Sequence, residues 1–127
     1  MALPVAVNPI KYYEINGAVC VLQTGSLSGT VAVNQQVVAA VSGKKIRVMG
    51  LQIQATTGAI GLVMLKSASG GAALAAPMWA PPNTNGDALL LPVIDSGYFE
   101  TNTGEGLFAD VGTATVYINV FYITYTP

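Results

Sequence analysis

The chain contains no histidine and a single cysteine, Cys20, among its 127 residues. The first absence removes the commonest general base and the commonest metal ligand. The second rules out an internal disulfide. Charge is scarce as well: five basic and six acidic residues make up 9% of the chain, against about 25% in an average soluble domain. No wholly apolar stretch approaches the roughly 20 residues of a membrane-spanning helix, and Met1–Asn8 lacks the basic region of a secretory signal. A chain of cytosolic origin is expected, with Cys20 a reduced, buried thiol. No stretch carries the 3.6-residue periodicity of an amphipathic helix.

What is present is apolar. Hydrophobic residues account for 52% of the chain, and the net charge is −1. The near-zero charge argues against a nucleic-acid partner. A lone domain with so few charges would present much uncharged surface to water, which favours association. All five basic residues lie at or before Lys66, and five of the six acids lie between Asp87 and Asp110. Such a separation suits basic and acidic patches that meet across a subunit boundary.

The length is that of one domain. Fourteen glycines and seven prolines punctuate runs of β-branched and aromatic residues at short intervals, which predicts strands nearly throughout. Pro4 and Pro9 keep Met1–Tyr13 extended, as an edge strand or an arm that reaches a neighbour. Strands are expected at Ala18–Gln23 after an Asn16-Gly17 turn, at Thr30–Val33, and at Gln36–Val41. In Lys44–Thr57 the apolar phase changes after Gly50, from Ile46 and Val48 to Leu51 and Ile53. Strand side chains have period two, so the change calls for one extra residue, a β-bulge at Met49-Gly50, or else for two strands joined by a bend.

Ile60–Lys66 is apolar on both faces and reads as a central strand. Ala72–Trp79 reads as short or irregular. Pro81-Pro82-Asn83 and Asn85-Gly86 mark a turn. Strands follow at Ala88–Ile94, Gly97–Thr101 and Gly104–Asp110. The last, Thr113–Thr126, carries Val116, Ile118, Val120 and Tyr122 on one face and Tyr117, Phe121, Ile123 and Tyr125 on the other. A strand with one wet face alternates apolar with polar, so something must cover the second face. In so short a chain another subunit is expected, with those four residues at the interface. The sum is an all-β, antiparallel β-sandwich, jelly-roll-like, with an up-and-down barrel as the alternative topology.

Catalytic constellations are thin. Ser42 with Lys44, or Lys66 with Ser67, is the only serine–base pairing the composition permits, and a lysine base must be buried to act. Glu100 and Glu105 flank a short loop, but strand-end solvation and turn hydrogen bonds account for them better than glycoside hydrolysis does. Asp87, Asp95 and Asp110 have no calcium-loop spacing, and Gly104-Glu105-Gly106 lacks the lysine and helix of a phosphate loop. No enzyme, cofactor or metal is expected. Trp79, with Met78 and Pro81, suits either a surface anchor or a core cap.

The segment GKKIRVMGLQIQATTGAIGLVMLKS (Gly43–Ser67), a strand at Pro77-Met78, GYFETNTGEGLFADV (Gly97–Val111) and a closing hydrophobic strand resemble the capsid decoration, cement or head-fibre proteins of tailed bacteriophages. The most specific part is Gly97-Tyr98-Phe99-Glu100-Thr101 followed by Gly104-Glu105-Gly106-Leu107. The resemblance spans about two-thirds of the chain, Gly43–Thr124. It implies a jelly-roll-like homotrimer on the outer surface of a virion, made in the host cytoplasm and braced against the major capsid protein. It supplies no active-site residue. On this reading the N-terminal arm touches the capsid through Leu3, Val5, Val7, Ile10 and Tyr12. A fibre adhesin that binds a host surface glycan or protein is the alternative. A glycan site of that kind calls for exposed aromatics and amides such as Trp79, Asn83, Asn85 and Asp87.

Overall fold

A computed structural model describes residues 11–56 and 59–127. Leu3, Val5, Val7 and Ile10 lie outside the described residues.

Among the described residues eleven strands follow in chain order: β1 (Tyr12–Ile15), β2 (Ala18–Val21), β3 (Gln23–Gly29), β4 (Ala32–Val38), β5 (Lys45–Ala55), β6 (Gly61–Ser67), β7 (Met78–Ala80), β8 (Leu89–Leu91), β9 (Phe99–Glu100), β10 (Leu107–Gly112) and β11 (Val116–Tyr125). One 3₁₀ turn, Asn83–Asn85, is the only helical element among the described residues, and Gly86 closes it in the left-handed conformation. The turn sits where the proline and asparagine cluster predicts one.

The strands form an antiparallel β-sandwich. One sheet runs β4-β10-β6-β7. The other runs β3-β11-β5-β8, with β9 also paired to β5. From β3 to β6 each successive strand passes to the opposite sheet, so spatial neighbours are distant in sequence. The up-and-down alternative, in which consecutive strands pair, is not this arrangement. β1 and β2 form a separate hairpin around Asn16 and Gly17, both with positive φ, the geometry that a two-residue hairpin turn requires.

The bulge is where the sequence places it. Phe121 pairs with Gly50 and Tyr122 with Val48, which leaves Met49 without a partner on β11. The extra residue restores the inward phase, so Ile46, Val48, Leu51, Ile53 and Ala55 all enter the main core. Val63, Leu65, Leu107, Ala109 and Val111 meet them from the facing sheet. β6 is less covered than its composition suggests, because Leu62 and Met64 on its outer side are only half-buried.

Two strand assignments differ from expectation. Thr30–Val33 and Gln36–Val41 are not two strands but one, β4, bent by register shifts in its pairing with β10. β3 has the composition of a loop, Gln-Thr-Gly-Ser-Leu-Ser-Gly, yet it pairs along its whole length with β11. Its glycines are required by packing. A Cβ on Gly25 would meet Val38 at 2.8 Å, and one on Gly29 would meet Val111 at 3.1 Å. At this margin the two sheets close on each other too tightly for a side chain.

Candidate interaction surfaces

The outer face of β11 presents Tyr117, Asn119, Phe121, Ile123 and Tyr125 in alternation. Its two halves differ. Ile123 is fully buried and Tyr125 is 6% exposed, in a second core formed with Cys20 and Met49. The β1–β2 hairpin folds over this half and seals it with Tyr13, Ile15 and Leu22. The expectation that a neighbouring subunit covers Ile123 and Tyr125 is therefore corrected, because the chain's own hairpin does so. The sequence signal that was missed is the alternation of Tyr13, Ile15, Cys20 and Leu22, one apolar face across an Asn-Gly turn.

The other half remains open. Tyr117 is 47% exposed, and Phe121 is half-buried. Around them the sheet is polar but uncharged: Tyr117 lies between Ser28 and Gln54, and Asn119 between Ser26 and Gln52. The amide nitrogen of Gln54 donates to the Asp87 carbonyl at 2.8 Å. Leu90, next to Gln52 on β8, is 60% exposed.

The opposite sheet presents an apolar outer face. Leu62 pairs with Trp79, and the indole is 60% exposed. Trp79 is thus a surface residue and caps no core. It borders a shallow hollow of about 380 Å³ lined by Ile60, Pro81, Pro82, Ala88 and Leu89. On the same sheet Val33, Leu62, Met64, Pro77 and Val111, with Asp110 the one charged neighbour, line a second, mostly apolar hollow of about 190 Å³. An apolar side chain from a partner fits such linings better than a sugar, whose hydroxyls need polar partners. Tyr12, the one described member of the expected capsid-contact set, is 57% exposed. It shares the open side of the hairpin with Val19 and Val21.

Seven of the charged residues meet in ion pairs: Lys11 with Asp95, Lys45 and Arg47 with Glu100, and Lys66 with Asp110. Glu100 accepts from Tyr125 Oη and from Arg47 Nε at 3.1 Å, with Lys45 Nζ at 3.5 Å. Burial pushes the Glu100 carboxyl up, but the Tyr125 and Arg47 hydrogen bonds and the Arg47 and Lys45 charges outweigh it and leave it below the usual carboxylate range. Tyr125 is held above the usual phenol range, first by burial and then by Glu100. Arg47 also stacks on the Tyr125 ring, 4.7 Å from its centre. This cluster walls a hollow of about 450 Å³ with Ser96, Gly97, Tyr98 and Phe99. The two charges that face it are already committed to each other.

Lys66 and Ser67 do not act on one another. Lys66 Nζ lies 3.1 Å from Asp110 Oδ2 and 2.8 Å from Asn34 Oδ1. Ser67 Oγ donates to Glu105 Oε2 at 2.7 Å and accepts from the Asn102 amide. Glu100 and Glu105 likewise have separate partners, Glu100 on β5 and β11, Glu105 on Ser67. Among the described residues no cluster of three or more acidic or cysteine side chains is placed to hold a metal, and no helix is long and apolar enough to cross a membrane.

No family model, curated protein or solved structure matches the chain.

Proposed function

We propose that the chain is a structural virion protein, a homotrimer that decorates and braces the outer surface of a capsid in contact with the major capsid protein. One observation carries the reading. On a chain with eleven charges, Tyr12, Val19, Val31, Val33, Ile60, Trp79 and Leu90 are each more than half exposed. They are spread over both sheets and the hairpin. Seven large apolar side chains facing water on so small and so little-charged a domain favour association, and partners on several sides would cover them. A subunit that touches both its own copies and a shell has such partners. The alternation of strands between the sheets suits a jelly roll. A trimer also multiplies weak contacts through effective concentration and matches local threefold symmetry on a shell.

Tyr117 and Phe121 are the residues retained for the contact between subunits, and Tyr12 for the contact with the capsid. A second reading, a head- or tail-fibre adhesin, is favoured by the strip of Tyr117, Gln52, Gln54 and Asn119, whose exposed aromatic and neutral amides suit a host glycan or protein surface.

Analytical ultracentrifugation at micromolar concentration gives a trimer if the first reading holds, and a stable monomer sinks it. Co-sedimentation with undecorated capsids, set against adsorption to host cells, separates decoration from adhesion.

A further inference from the structure

Asn34 stands at the irregular point of β4. Gln35 pairs with Ala109 and Ala32 with Val111, so Val33 and Asn34 together face the single residue Asp110. Asn34 takes a φ of +56° there, a left-handed conformation that asparagine adopts more readily than most residues. Bulges re-aim side chains, and this one brings the Asn34 amide to Lys66 on β6, across the intervening strand β10.

Three groups converge on that amide. Lys66 Nζ lies 2.8 Å from Asn34 Oδ1. The backbone N–H of Gly70 donates to the same oxygen at 2.7 Å, from a turn closed by the Gly71 amide on the Ala68 carbonyl. Asp110 sits between the other two. Its Oδ2 and Oδ1 lie 3.1 and 3.2 Å from Nζ, and its Oδ1 also accepts from the Asn34 backbone N–H at 2.7 Å. The Lys66 side chain is only 9% exposed. Phe108, opposite Lys66, and Met64, opposite Asp110, flank the group on β10 and β6.

An ion pair needs only Lys66 and Asp110. The additional partners are those of an acyl transfer: an amine nucleophile, a carbonyl, a backbone donor on the carbonyl oxygen, and a carboxylate that moves protons. We propose that Lys66 and Asn34 become joined by an isopeptide bond, with Asp110 as the catalytic acid–base.

The step balances within these residues. Asp110 takes a proton from the Lys66 ammonium, and the freed Nζ lone pair attacks Asn34 Cγ. The Gly70 N–H supports the negative charge that grows on Oδ1. Asp110 then gives its proton to Nδ2 and takes the second one from Nζ. The Cγ–Nδ2 bond breaks, its electron pair leaves with ammonia, and the carbonyl re-forms. No oxidant, reductant or cofactor takes part. Holding the reactants in place supplies the effective concentration that such a reaction lacks in water.

The product ties β4 to β6 across β10, in a chain whose single cysteine allows no internal disulfide. In the open chain Lys66 is the cation that Asp110 holds. In the linked chain it is a neutral amide nitrogen. The bond is independent of the decoration reading.

The test is the intact mass of the full chain, kept folded at neutral pH until the mass stops changing. A loss of about 17 Da, one ammonia, is expected. After trypsin, the peptide that holds Asn34 should be joined to one left uncleaved at Lys66. A chain that keeps its full mass overturns the proposal. So does a loss of about 18 Da that joins Lys66 to Asp110, because the acyl group is then the wrong one. Lys66→Gln should keep its full mass. Loss of ammonia from that variant marks a cyclisation within the Asn34 peptide and also overturns the assignment. Asp110→Asn, checked for its fold by circular dichroism, should link roughly a hundredfold more slowly. Linking at the parent rate removes Asp110 from the catalytic role. The parent mass requires no variant to fold, so the bond is tested whatever the substitutions do to stability.

Discussion

Tyr125, near the end of the chain, donates its phenolic hydrogen to Glu100, and Arg47 reaches both of them. This one cluster ties β11, β5 and β9 together at the edge of the second core. Its pH behaviour follows from the two shifts. Glu100 titrates below its ordinary range, so its contribution is fully present above the unfolded carboxylate pKa and is lost as pH falls through the depressed folded value. Tyr125 titrates above its ordinary range, so its contribution is fully present below the unfolded phenol pKa and fades as pH rises through the folded one. Thermal melts between about pH 3 and 11 should show a plateau with losses at both ends. Tyr125→Phe should lower stability by about 1–2 kcal/mol at neutral pH and flatten both flanks. A variant that melts like the parent at all pH values contradicts this.

The bulge leaves no room at Gly50. A Cβ there would meet Val93 at 2.8 Å and the Leu91 carbonyl at 3.2 Å, and backbone does not yield as a flexible side chain does. Gly50→Ala is expected to cost about 1–3 kcal/mol in urea unfolding. Gly43→Ala makes a useful contrast. Nothing lies near its Cβ, but its φ is +72°, so its cost comes from backbone strain alone, about 1 kcal/mol.

Lys66 is 8% exposed and paired with Asp110. Lys66→Met leaves a half-buried carboxylate without its cation and should cost about 3 kcal/mol. Adding Asp110→Leu should recover part of the loss, because the uncompensated carboxylate goes too, while the Asn34 backbone N–H that donates to Asp110 Oδ1 at 2.7 Å loses its acceptor. Chemical denaturation of the two single variants and the double closes the cycle. Additive losses would mean that the two charges do not act together.

Trp79→Ser removes an exposed side chain, so the unfolding free energy should change by less than about 0.5 kcal/mol. If the apolar hollow beside it receives a partner, binding to capsids or self-association should weaken roughly tenfold or more. Full binding by the serine variant would remove this face from the contact surface.

The strand content and most strand positions were legible from residue chemistry, the order of strands in the sheets was not, and the failures have identifiable causes. The phase change around Gly50 announced the bulge because both halves of β5 are strongly apolar, so only one register buries them. The Asn16-Gly17 turn and the 3₁₀ turn before Gly86 were equally plain. β3 was not, since glycine and serine read as loop. Its conformation is imposed by β11, and its glycines answer to Val38 and Val111, far away in sequence. Of the four interface residues expected on β11, two proved internal. A strand apolar on both sides states that a cover exists, without stating whether the cover belongs to the same molecule. The exposure of Trp79 was open at the sequence level for the same reason: an aromatic residue in a short strand says nothing of which way the strand turns.

Val48 and Met49 are adjacent in sequence, yet they feed different cores. The hairpin cannot lift away without disturbing a residue bonded directly to the heart of the sandwich. Ironing the bulge flat with every residue kept would reverse the parity of everything toward Lys45, exchanging Ile46 for Arg47 on the dry side. The two compartments therefore share a mechanical hinge pin, and a heating scan should find them letting go together in one transition.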